Sequence, residues 1–269
     1  MKRLLIAGCG DIGIRLAGTL DPEAWTTVGL RRTPAALPDP VSQVTADLLA
    51  PQSLTSVAGH WDAVIYQATP DQRDPEAYRK AYVEGLKNLL STVQADRLIF
   101  VSSTAVYGQD DGSEVDERSI TQPSAFNGRI LLEAEQLALD VGGLVVRFSG
   151  IYGPGREFLI NQVRNGKARC REHPPQWTNR IHADDCAAVL AHVLQLPSPE
   201  SLYCASDDHP APRCQVVDWL AGQLGVAAPA REASNASGQG KRISNQRLRA
   251  SGYDFRYPDF RTGYGALLQ

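Results

Sequence analysis

Gly8, Gly10 and Gly13 form a G-x-G-x-x-G in the string GCGDIG at 8–13. The apolar run Arg3–Ala7 precedes it and the amphipathic segment Ile12–Leu20 follows, so the glycines fall where a strand feeds a helix. Gly8 permits the tight turn, Gly10 lets backbone approach a pyrophosphate with no Cβ in the way, and Gly13 lets the helix pack closely on the strand. The N–H groups of the first helical turn, around Asp11, Ile12 and Gly13, are then left to hold the anion. The chemistry indicated is dinucleotide binding. The bland alternative is a glycine turn with no ligand.

The residues after the next strand bear on which dinucleotide. An NAD site presents Asp or Glu about 20 residues on, to bind the ribose 2′-OH. Here the run Thr26–Leu30 ends in Arg31 and Arg32, 18 positions past Gly13, with no acid at the strand end. Two guanidiniums suit a 2′-phosphate, to which they donate paired charge-assisted hydrogen bonds, and a solvated basic turn is the other reading. NADP is the expected cofactor, with NAD as the alternative. Asp47, after VSQVTA, suits the adenine amino group or a helix cap.

Elements must position these residues. Strand-like runs at Thr26–Leu30, Ala63–Gln67, Leu98–Ser102 and Leu144–Phe148 alternate with helical patterns at 75–93 and 130–141. Continuous apolar strands separated by helices indicate an α/β fold, a doubly wound parallel sheet of the Rossmann kind. The loops after the strands then lie along one edge, where such sheets bind ligands. After Phe148 the texture becomes rich in Gly, Pro and aromatic residues, which indicates a smaller C-terminal substrate lobe. The expected division is 1–150 with 178–205 for the dinucleotide-binding domain and 151–177 with 206–269 for the lobe. Asp185–Leu196 reads as a helix capped by Asp184 and Asp185, Leu202–Ala205 as a last strand, 206–269 as loop-rich, and 233–240 as a mobile loop.

Composition narrows the partners. A net charge of −3 over 269 residues leaves no basic excess for nucleic acid, and mean hydropathy of −0.26 argues against a membrane fold. The five cysteines are scattered without a C-x-x-C pair. Neither a disulfide framework nor a zinc site is expected, and all five read as reduced thiols in a cytoplasm. The apolar N-terminal run is too short for a signal peptide.

Several strings together carry a family likeness: GCGDIG at 8–13, AD at 46–47, VIYQAT at 64–69, FVSSTAVYG at 100–108, RFSGIYGPG at 147–155 and NRIHADD at 179–185. In order and spacing they resemble the extended short-chain dehydrogenase/reductase superfamily, the NAD(P)-dependent epimerase/dehydratase group, and within it the short, atypical YeeZ type. The resemblance implies Ala68 at the cofactor and a homodimer built from the helices at 75–93 and 130–141. It also implies a Ser/Thr, a Tyr and a Lys at the reacting centre, the Tyr exchanging a proton, the Lys lowering its pKa, and the Ser holding the reacting oxygen. Ser103 occupies the Ser position. Aligning Gly128, Arg129 and Glu135 places Asn127 at the Tyr and Leu131 at the Lys; a one-residue slip gives Phe126 and Ile130. No lysine lies between Lys87 and Lys167, and no Tyr of the chain has Lys four positions on.

Other groups near the same edge offer replacements for that relay. Tyr107, Tyr152 and Tyr82 are candidate proton donors, the first two with packing as the competing role. His182 reads as a structural, hydrogen-bonded residue or a general base, and Arg129 and Arg147 as anchors for an acidic group or as salt-bridge partners. The expected function is an NAD(P)-dependent oxidoreductase or epimerase acting on a small polar, sugar-like carbonyl or hydroxyl substrate. Its proton would move through a non-standard acid or through water ordered by Ser103 and Asn127. The alternative is a non-catalytic NADP(H)-binding sensor.

Overall fold

The computed structural model describes residues 1–232 and 238–269, so most of the expected loop at 233–240 lies outside the described residues. The chain divides into two compact units. The first comprises residues 1–106, 123–147 and 187–203; the second comprises 107–122, 148–186 and 204–269. The division expected from sequence differs chiefly in placing 107–122 and 178–186 with the dinucleotide-binding part.

The first unit is built on a seven-stranded sheet. Its strands are β1 (Lys2–Ala7), β2 (Trp25–Arg31), β3 (Ser42–Thr45), β4 (Gly59–Tyr66), β5 (Val93–Ser103), β6 (Leu144–Phe148) and β7 (Leu202–Ala205), in the order β7-β6-β5-β4-β1-β2-β3. The pairs from β3 to β5 are parallel, and the order reverses between β1 and β4. Leu4, Leu5, Ile6, Val64 and Ile65 are fully buried, which is why the Leu4–Ala7 end of β1 and the Ala63–Tyr66 end of β4 read as apolar runs, whereas their first residues are exposed. Gly29 breaks the run in β2 for a reason, since a Cβ there would meet Cys9 Sγ at 2.8 Å.

The helices are α1 (Asp11–Thr19), α2 (Pro75–Arg79), α3 (Gly85–Leu90), α4 (Phe126–Asp140), α5 (Phe158–Arg164), α6 (Ala183–Gln195), α7 (Arg213–Leu224), α8 (Gln246–Ala250) and α9 (Phe260–Leu267). The single helix expected over 75–93 is instead α2 and α3 joined by a π turn at Lys80–Glu84, with Val93 already in β5. Asp74 caps α2 by accepting the Ala77 N–H, and Pro75 stands at its start. The π turn has an identifiable cause. Gly85 N–H bonds back to the Lys80 carbonyl, and the Ala81 carbonyl it would otherwise use accepts from the buried Tyr66 hydroxyl. A Cβ on Gly85 would lie 2.5 Å from that hydroxyl.

In the second unit, Gly150–Tyr152 pairs in parallel with Arg180–His182, and Arg169–Cys170 with Ala230–Arg231. The stretch expected to be loop-rich contains α7, which buries Val216, Val217, Leu220 and Ala221 and stops at left-handed Gly225. That face, opened by Pro212 and closed by Gly225, is a helical signal the sequence reading missed. Two further expectations are corrected. Cys170 and Cys214, 44 residues apart, form a disulfide with Cα atoms 5.1 Å apart, leaving Cys9, Cys186 and Cys204 as buried thiols. Asp185 is no helix cap. It is fully buried and accepts from the Tyr253 hydroxyl at 2.7 Å and from the N–H groups of Arg256 and Tyr257 at 2.8 and 3.0 Å, so it anchors the C-terminal segment.

Candidate functional site

At the carboxyl ends of β1, β2 and β4 the first unit holds a cleft of about 550 Å³. Gly8, Cys9 and Gly10 form one wall, Arg31 and Arg32 with Asp47 a second, and Ala68 to Asp71 a third. The place follows from topology: an open α/β sheet leaves a crevice where its strand order reverses, here between β1 and β4. The turn is pinned from below, because Gly8 and Cys9 both donate to the Leu30 carbonyl, at 3.0 and 2.9 Å.

The glycines divide their tasks. Gly8 has φ +84, and a Cβ there would lie 2.6 Å from both Cα and N of Ala68. Gly13 sits against Ile6, where a Cβ would also collide with the Gln67 amide. Gly10 lines the cleft, and the nearest protein atom to a Cβ on it is the Gly8 carbonyl oxygen, 3.9 Å away. That space is open to a ligand. No side chain caps the N-terminus of α1, so a pyrophosphate fits the turn in charge and in room. Ile12 is buried behind the turn, and Asp11 accepts from Arg15 Nε at 2.8 Å; neither lines the cleft.

The two arginines differ. Nε and Nη1 of Arg31 are buried and have no hydrogen-bond partner. Buried guanidinium nitrogens are costly unless paired, so their place beside the cleft fits an anionic ligand group. Arg32 instead makes a two-pronged pair with Asp71, 2.8 and 2.5 Å, which holds the Asp71 carboxyl below its usual range. Asp47 lines the cleft and also accepts the Leu49 N–H at 2.9 Å, closing a local turn. Burial pushes the Cys9 thiol up to about 11 against the Arg31 charge, so it stays protonated at neutral pH.

Ser103 ends β5, and its hydroxyl accepts the Ala105 N–H at 3.2 Å. Asn127 is in the first turn of α4. That turn packs on the Thr104–Val106 turn because Gly128 allows it: a Cβ on Gly128 would lie 2.5 Å from the Ala105 carbonyl oxygen. Ser103 and Asn127 thus reach one neighbourhood within the first unit. Leu131 is buried, and Phe126 packs edge-on to Tyr78 with centroids 5.3 Å apart.

The two tyrosine candidates belong to the second unit and are packed there. The Tyr107 hydroxyl donates to the Asp116 carbonyl at 2.7 Å and lies 3.0 Å from Cys204 Sγ. Tyr152 is buried between the rings of His182 and Tyr264, and burial, with Asp207 adding to it, pushes its phenol well above the usual range. A phenol so shifted is a poor proton donor at neutral pH. His182 is buried, its Nδ1 accepting the Asp184 N–H at 3.2 Å. Arg147 is committed to Glu135, 2.9 and 2.6 Å.

Asp207 carries a titratable signal that no local motif announces. Burial pushes its carboxyl up to about 7, with the Arg180 charge opposing. A carboxylate whose folded pKa is raised contributes stability that is complete below its unfolded pKa, about 3.9, and is lost as pH rises through the folded one. Asp207→Asn is expected to gain thermal stability relative to the native chain as pH rises from about 5 to 8. Melting curves running parallel across that range would refute the assignment.

The reversed strand order, the glycine turn and the cleft define a dinucleotide-binding protein of the Rossmann class. The sequence matches the NAD dependent epimerase/dehydratase family over residues 4–204, and the chain belongs to that family. It is 28% identical to Protein YeeZ of Escherichia coli (strain K12), covering 96% of this chain and 97% of that protein. It is 28% identical to a 3-diazoavenalumate denitrifying reductase from Streptomyces sp, over 84% of this chain and 83% of that one. A Methylobacillus flagellatus structure, provisionally assigned as an NAD-dependent epimerase/dehydratase, is 39% identical with TM-score 0.85, covering 99% of this chain and 97% of that one. No helix among the described residues is long and apolar enough to cross a membrane.

Proposed function

We propose that the chain is an NADP(H)-dependent oxidoreductase or epimerase acting on a small polar, sugar-like carbonyl or hydroxyl compound. The observation that carries the cofactor choice is the pair of buried, unpartnered nitrogens of Arg31 beside the cleft, where an NAD site presents an acid. Gly8, Gly10 and the first turn of α1 hold the diphosphate, Arg31 and Arg32 the ribose phosphate, Asp47 and Ala68 the adenosine side. The cofactor supplies hydride transfer, a step that depends mainly on proximity and orientation. The Ser103 hydroxyl holds the reacting oxygen, and the Asn127 amide orders water beside it in place of a Tyr–Lys relay. The Streptomyces relative, described as a reductase, supports the reaction class. A cytoplasmic setting goes with this reading, with Cys170–Cys214 then a bond that such a compartment would reduce.

Arg31→Ala is expected to weaken NADPH binding by about 30-fold, roughly 2 kcal/mol for lost charge-assisted bonds, and NADH by no more than about twofold. Fluorescence titration of both nucleotides measures this. An equal effect on both would overturn the NADP assignment. The buried Leu131 at the lysine position favours a second reading, a cofactor-binding sensor without turnover. A carbonyl panel assayed with NADPH separates the two, since a sensor binds the nucleotide and consumes none.

A further inference from the structure

We propose that Asp71 is a latch on the cofactor cleft: it competes with the ribose phosphate for Arg32 and so limits the preference for NADPH over NADH. The proposal rests on the NADP reading above and adds to it a residue that tunes the choice. Arg32 follows β2 and Asp71 lies in the loop after β4, 39 residues on, and both line the cleft. The carboxylate takes Nη1 and Nη2 at 2.8 and 2.5 Å, so both prongs of the guanidinium are engaged. A carboxylate offers two oxygens in the spacing that a phosphate also offers, which makes Asp71 an internal stand-in for the ligand group.

Position decides what the pair can do. The side chains are 53% and 65% exposed, at the mouth of the cleft. Exposed pairs of this kind contribute little to stability, so a phosphate carrying close to two charges can displace the carboxylate. The neighbouring Arg31 offers buried nitrogens with no partner, an anchor for the arriving phosphate before Arg32 is released. As the phosphate takes Arg32, its charge repels Asp71, and the loop carrying Asp71 parts from the end of β2. A nucleotide with an unmodified ribose supplies no competing charge and leaves the pair closed. Asp71 therefore weakens binding only of the phosphorylated nucleotide. The Asp47 charge also acts on Arg32, so the latch is one of two carboxylates facing this guanidinium.

The test is calorimetry on the full chain and on Asp71→Asn, with NADPH, NADH, 2′,5′-ADP and 5′-AMP as probes. The substitution keeps the side-chain shape and removes the charge at an exposed position, and circular dichroism checks that the variant folds. NADPH and 2′,5′-ADP are expected to bind about five- to tenfold more tightly, with NADH and 5′-AMP changed by less than about twofold. If the native chain prefers NADPH and the variant keeps the same ratio, or binds NADPH more weakly, the latch is overturned while the cofactor reading stands. Tightening of all four probes alike also overturns it. A native chain that prefers NADH, or binds neither nucleotide, overturns the cofactor reading and the latch with it.

Discussion

Arg147→Ala is expected to destabilise the fold by about 3–5 kcal/mol, the cost of leaving one member of a buried ion pair without its partner. Glu135 and Arg147 are 2% and 5% exposed. Arg147 Nε and Nη2 donate to the two oxygens of Glu135 at 2.9 and 2.6 Å, and the Ser102 hydroxyl donates to Oε1 at 2.5 Å. The three residues sit on β6, α4 and β5, so the network ties the helix carrying Asn127 to the strand that ends in Ser103. Removing the guanidinium leaves a buried carboxylate with one hydroxyl donor. The double variant Glu135→Leu, Arg147→Met removes both charges and keeps the volume, and should cost less than Arg147→Ala alone. Urea denaturation of the three proteins decides it. A double variant less stable than the single one would show that the pair is worth more than its desolvation penalty.

That network also shows where sequence reasoning stops. The family segment around Glu135 identifies α4, and the apolar runs identify the strands. The choice left open for Arg147, substrate anchor or salt bridge, depends on which side chain from another element comes to face it. Periodicity reports burial of a face and is silent about such partners. Arg32 and Asp71 are 39 residues apart and Cys170 and Cys214 are 44 apart, so no local pattern relates either pair. Asp185 illustrates the same limit. Beside Asp184 at a helix start it reads as a cap, yet its three donors come from residues 253–257.

The π turn is a related case. The pattern over 75–93 is helical in period, and only the hydroxyl of Tyr66, arriving from β4, diverts the Ala81 carbonyl and shifts Gly85 to a bond one residue longer. By contrast, the glycine turn was legible because its requirements are local: a strand before, a helix after, and no side chain at three positions. The sequence shows that glycine is needed at each of them. It does not show which one answers to the protein's own backbone and which to a ligand.

The structure separates those two demands, and paired substitutions should show it. In Gly8→Ala the new methyl meets Cα and N of Ala68 at 2.6 Å, and the residue must also hold φ +84, a left-handed conformation costly for alanine. Backbone on the other side has little room to yield, since Gln67 N–H is bonded to the Ala7 carbonyl at 2.9 Å. Gly8→Ala is therefore expected to lose about 2–3 kcal/mol of stability and to weaken NADPH and NADH together by roughly 100-fold, because the whole turn shifts. In Gly10→Ala the nearest protein atom is 3.9 Å from the methyl and φ is −90, so the fold has nothing to resist. Its melting temperature should match the native chain within about 1–2 °C, while binding of both nucleotides falls by at least about tenfold because the methyl occupies the space a pyrophosphate needs. Undiminished binding in Gly10→Ala would place the nucleotide diphosphate somewhere other than this turn, and equal stability losses in the two variants would show that Gly10 too answers to the protein's own backbone.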